Sequence, residues 1–159
     1  MNRSIYFAVL LILWLSSTGF CTDAVNFAGH WVIDLRPESQ RSADCGGAYF
    51  TLLQNWGRVC GDHGFATTGC SRLNEGFPGS VRGIVVGSTA VLVVTSGRNG
   101  AIVLGKATRK GDTLHWSTLE HIKSGEPEGD SPLILEKGIL KLDKSQSASQ
   151  ELVNACYTR

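Results

Sequence analysis

The sequence predicts an all-β domain: a single antiparallel up-and-down barrel of eight or nine strands. Three observations carry that expectation. The triplet Val-x-Gly recurs in step at Val59-x-Gly61, Val81-x-Gly83 and Val103-x-Gly105, an interval of 22 residues that fits two short strands with their turns. The apolar runs are short and each is bounded by Gly, Asn, Asp or Ser, the residues tight connections need. Beyond residue 24, helical periodicity is confined to one short turn within Ser147–Asn154. Glycine inside a strand weakens it but permits the sharp coiling of a closing sheet, so the recurring glycines read as barrel bends.

Taken from the N-terminus, residues 1–24 have the layout of a secretory signal peptide. Arg3 supplies a positive start, Ile5 to Leu15 is unbroken apolar sequence, and small or polar residues follow to Thr22 and Ala24. The run is too short for a membrane helix of about 20 residues. Cleavage after Ala24 is preferred, with Gly19 as the second site; bulky Phe20 before Cys21 disfavours lipidation. Residues 25–159 then form one domain, exported to a periplasmic or extracellular space.

The strands follow. His30–Arg36 opens the domain; Ala48–Gln54 and Arg58–Asp62 flank the turn Asn55-Trp56-Gly57. Val81–Val86 and Ala90–Thr95 flank residues 87–89, and Ala101–Thr108 and Thr113–His121 flank 109–112. Leu133–Glu136 and Ile139–Asp143 meet at Lys137-Gly138. Closure of such a sheet removes exposed edges, with a two-sheet sandwich as the alternative. Residues 91–94 and 102–104 are apolar on both faces, which implies a cover over part of the outer wall: residues 36–45, the C-terminal tail or a partner.

Removing the signal takes one base and one acid, so the charge stays at +1. So neutral a chain has no overall electrostatic footprint for nucleic acid or for an anionic membrane. Four cysteines remain, an even number that favours two disulfides in an exported chain. The expected pairs are Cys60–Cys70, a short clip, and Cys45–Cys156, which ties down the tail. In the chain-entropy model they stabilise by roughly 2.5–3 and a little under 5 kcal/mol. A metal site from Cys60, His63 and Cys70 is disfavoured because it needs reduced thiols and a fourth ligand. No cofactor motif is present.

Asn26-Phe-Ala-Gly29-His-Trp31 resembles the Gly-x-Trp signature that opens lipocalins and related calycin barrels. The resemblance implies a calycin-like barrel with Trp31 as a structural plug at its closed end, and the proposed Cys45–Cys156 bridge would match a fastened C-terminal segment. Ser96-Gly97 is faintly similar to the Ser-Gly loop of secreted bacterial lysozyme inhibitors, without the tyrosine expected after it.

Ser96-Gly-Arg98-Asn99-Gly100 joins two apolar strands, which places Arg98 at a hairpin tip with its guanidinium projecting toward a partner's carboxylate. The long connection 61–80 offers Phe65, Arg72, Glu75, Asn74 and Phe77 as apolar and polar contacts, and loops of this length often bind. Asp62-His63 with Ser71 invites a hydrolase comparison but lacks a nucleophile elbow. His115 and His121 are expected on one outward strand face, and the acids of 126–130 in a solvated loop. The expectation is therefore an exported non-enzymatic protein that binds or inhibits another protein, as an immunity protein or lysozyme inhibitor does. Its contacts come from loops 61–80 and 96–100, chiefly Ser96, Arg98, Asn99, Phe65, Arg72 and Glu75. The alternative is a calycin-type carrier of a small apolar ligand in the barrel interior.

Overall fold

A computed structural model describes residues 25–157; residues 1–24, expected to be a signal peptide, and 158–159 lie outside the described residues. Nine strands follow in chain order: β1 (Gly29–Asp34), β2 (Gly47–Asn55), β3 (Arg58–Ala66), β4 (Leu73–Asn74), β5 (Val81–Val86), β6 (Thr89–Thr95), β7 (Ile102–Lys110), β8 (Thr113–Lys123) and β9 (Lys137–Asp143). A short helix, α1 (Gln150–Tyr157), ends the chain. All pairings are antiparallel. Each long strand pairs with the next in sequence, and β9 returns to β1 through His30↔Asp143, Trp31↔Leu142 and Val32↔Lys141. Eight strands thus close a barrel, and β4 adds a two-residue edge to β3. This closed meander is consistent with a calycin-like topology.

Alternation sorts side chains inward and outward. Val59, Val81 and Val103 point inward and are buried, and the glycine two residues on in each strand lies on the same inner face. A Cβ at Gly61 or Gly83 would strike the neighbouring strand's backbone, and one at Gly105 would strike the Trp116 ring. The 22-residue beat therefore marks where the wall coils tightly and where an indole lies flat against it. Trp116 packs at a 52° tilt against Phe50, ring centroids 4.9 Å apart, and these two with Trp31, Leu52, Leu92 and Leu140 fill the bore.

Trp31 is the expected plug. It is fully buried, its Nε1 donates to Phe27 O at 2.9 Å, and the Arg109 guanidinium covers its ring at 5.2 Å. Arg109 also donates to Asn26 O, which ties the incoming chain across that end.

Several expectations are corrected. The disulfides are Cys45–Cys70 and Cys60–Cys156, not Cys60–Cys70 and Cys45–Cys156. The reason is that β3 runs on to Ala66 rather than stopping at Asp62. Six further extended residues carry the chain about 20 Å from Cys60, to the end where Cys45 precedes β2. The tail is still fastened, through α1 onto the outer face of β3, where Leu152 is fully buried and Arg82 donates to Ala155 O. Ser149 caps α1 by accepting from Leu152 N at 3.1 Å. Leu133–Glu136 forms no strand. It is an irregular segment whose Leu133, Ile134 and Leu135 enter the barrel mouth, held by Trp116 Nε1 donating to Leu135 O and Thr118 N to Glu136 O.

Two measurements test this packing. Non-reducing peptide mapping is expected to join Cys45 to Cys70 and Cys60 to Cys156; a Cys60–Cys70 peptide would contradict the extended β3. Gly105→Ala is expected to cost about 1–3 kcal/mol in urea unfolding by displacing Trp116, and an unchanged midpoint would contradict the ring's position.

Candidate functional site

The tight turns 56–57, 87–88 and 111–112 lie at one end of the barrel, and the long connections lie at the other. Connections 35–46, 67–80, 96–101 and 124–136 lie at this second end, so the two loops expected to act together share one mouth with two others, and Cys45–Cys70 ties 35–46 to 67–80.

Asn74 is the buried hub. Its Nδ2 points at Pro132 O (2.9 Å), Leu133 O (3.1 Å), His63 Nε2 (3.1 Å) and Ser96 Oγ (3.2 Å). Its Oδ1 accepts from Gly76 N and Gly97 N, each at 3.1 Å. One amide thus ties three of the four connections to the core. His63 faces inward and is 1 % exposed. Since its Nε2 accepts from Asn74, its Nδ1 carries the proton and donates to Ser80 Oγ at 3.1 Å. Burial pushes the imidazole down to about 4, so it is neutral at physiological pH.

Asp130 is the second, outer knot. Its carboxylate accepts from Arg72 Nη2 at 2.6 Å and Arg98 Nε at 3.0 Å, and its backbone O accepts from Asn99 Nδ2 at 3.0 Å. Arg98 first, and Arg72 with it, holds the Asp130 carboxyl below the usual carboxylate range. Arg98 therefore does not project freely as expected: a carboxylate from its own chain, 32 residues on, already occupies it. The acidic stretch 126–130 is correspondingly not a purely solvated loop, because its last acid is recruited here.

Ser96 is 1 % exposed and donates to Pro132 O at 2.8 Å, so it supports the 96–101 turn rather than meeting a partner directly. Phe65 and Glu75 lie together in a groove of about 500 Å³ whose walls include Val32, Tyr49 and Leu73. Leu73 and Phe77, 42 % and 45 % exposed, and Leu35 after β1 are large apolar side chains that this mouth presents to solvent. Burial first, then the nearby Asp62 and Glu75 carboxylates, raise the Tyr49 hydroxyl above its ordinary range.

The other candidates are not assembled. Asp62 and His63 are adjacent in β3 and so face opposite sides of the wall, and Ser71 Oγ bonds Thr67 Oγ1. Asp62 lies outward beside Thr51, with one buried carboxylate oxygen unpartnered among the described residues, and burial raises its carboxyl. Cys60 and Cys70 are oxidised in different bridges, which removes the metal set with His63. Among the described residues no group of three His, Cys, Asp or Glu could hold a metal ion. His115 pairs with Thr108 and His121 with Val103, positions of opposite parity in β7. A bulge in β8 thus puts the two histidines on opposite faces, not on one.

Asn74 was expected as a contact residue and is instead a buried hub, while Asp130 and the 131–135 segment were not legible as site residues. The available signal was Leu133-Ile-Leu135, an apolar run too short to pair and therefore suited to plug a mouth.

The depressed His63 value has a consequence for stability. A folded-state pKa near 4 against 6.5 in the unfolded chain means the unfolded state binds the proton first. The stabilisation is complete above pH 6.5 and is lost as pH falls toward 4. About 2 kcal/mol should go between pH 7 and pH 5, read by urea unfolding, and His63→Gln should flatten that slope. An equally steep slope in the variant would place the proton uptake elsewhere.

Comparison with protein-family models, curated proteins and solved structures gives no match to this chain.

Proposed function

We propose that this chain is an exported, non-enzymatic binding protein that grips another protein with the loop-bearing mouth of its barrel. The observation that carries the reading is the two-tier lock on that mouth. Asn74 and Asp130 hold three long connections in fixed mutual position while Leu73, Phe77 and Glu75 stay exposed at the surface. Pre-organised loops lose little conformational entropy on binding, and exposed aromatic and aliphatic side chains beside charges supply anchors. Two disulfides suit an oxidising compartment.

An immunity protein or a lysozyme-inhibitor type is the concrete form: a rigid loop set that obstructs an enzyme's cleft. In that case Arg98 acts while already paired, presenting the Asp130–Arg98–Arg72 cluster as a unit. A carrier of small apolar ligands finds less support, because Trp31, Phe50 and Trp116 occupy the bore where such a ligand would sit.

The test is a quantitative pull-down from envelope and extracellular fractions with residues 25–159 as bait, followed by an affinity measurement on the retained protein. Wild type is expected to retain a protein whose affinity falls at least tenfold with Phe77→Glu and several-fold with Arg98→Ala, with both variants folding normally. No retained protein, or one held equally by both variants, would sink the reading.

A further inference from the structure

On the outer wall, β7, β8 and β9 bring together residues that are scattered in sequence. The register aligns Lys106 with Ser117 and Lys137, Thr108 with His115 and Ile139, and Lys110 with Thr113 and Lys141. All nine alternate with buried inward residues such as Ala107, Leu114, Trp116 and Leu140, so all nine face out.

The geometry is a trough. Lys106 and Lys110 form one rail on β7, and Lys137 and Lys141 form the other on β9, about 9.5 Å away across two strand spacings. Ser117, His115 and Thr113 of β8 make the floor. A depression of about 280 Å³ opens between Lys106 and Lys137 beside Gly138, at one end of the trough. None of the four lysines is ion-paired: the one paired lysine among the described residues is Lys144, which bonds Asp112. The nearest acids border the block: Glu136, before Lys137, lies 3.3 Å from His121; Asp112, in the β7–β8 turn, pairs with Lys144; Glu120 and Asp143 lie one row beyond at either end. Four uncompensated ammonium groups in one patch are a strong local field for a chain whose total charge is only +1.

We propose that this trough binds an anionic polysaccharide, laid along β8 with its sulfate, phosphate or carboxylate groups against the two lysine rails. The floor selects this class. Hydroxyls and an imidazole match the hydroxyl-rich rings of a sugar chain. The nearest large ring, Trp116, faces the bore and is only 2 % exposed, so the outward block offers bases no phenyl, phenol or indole platform, only the small His115 ring. Ile139 is the single exposed apolar residue of the nine, too little to enter a lipid surface. The trough is separate from the loop-bearing mouth and does not depend on the function proposed for it.

The probe is a fluorescein-labelled heparin fragment titrated with residues 25–159, disulfides intact, at low and moderate salt. Saturable binding that weakens with salt is expected. Lys106→Glu with Lys137→Glu should weaken it at least tenfold, and the milder pair Lys110→Gln with Lys141→Gln should weaken it several-fold. Arg58→Glu, an exposed charge reversal on β3, should change it less than twofold. A single-stranded oligonucleotide and phosphatidylglycerol vesicles should bind more weakly than the fragment. Absence of saturable binding, equal loss from Arg58→Glu, or tighter binding of the oligonucleotide or the vesicles would each overturn the proposal.

Discussion

A sheet of eight strands that closes on itself has a bore of fixed width, and whatever lines it must fill it. Here closure is made by only three residue pairs between β1 and β9, yet those pairs set the inward parity of every other strand. Trp31 sits at the centre of that seam. Its burial, the Arg109 cover and the neighbouring Phe27 seal one end, while Phe50 and Trp116 occupy the middle. With one end sealed and the bore full, contact with another molecule falls to the outer surface: the open mouth, the wall and the rim of turns where Trp56 is 90 % exposed.

The two ends are built differently for a physical reason. At the sealed end the hairpin connections are each two residues long. At the open end they are long, and an irregular connection must satisfy its own backbone groups. Asn74 does this from inside, and the Leu133–Leu135 segment supplies the apolar mass that a plug needs. Asp130 then cross-links the surface layer. The outcome is a set of loops with the rigidity usually associated with strands.

The strands, their number and the barrel were readable because each depends on local pattern: alternation, turn residues and the Val-x-Gly beat. The cysteine pairing was not, because it depends on where β3 ends, and an extended strand of glycine, histidine and phenylalanine after Asp62 resembles a loop in sequence. Arg98 was placed correctly at its turn, but its partner Asp130 comes from a different connection. The lysine trough was hidden for the same reason. Lys106 and Lys137 are far apart along the chain, and only the register of β7, β8 and β9 makes them neighbours.

The bond between Cys60 and Cys156 spans a sequence separation of 96 residues and so encloses most of the chain, including three of the four connections of the open mouth, 67–80, 96–101 and 124–136. A protease that cuts one of those exposed connections makes no loose fragment. The two pieces stay covalently joined and stay paired along the barrel wall, so a nicked molecule keeps its shape until a reductant reaches it. For a protein that displays its longest segments to the outside, that is tolerance of damage written into the chain's connectivity.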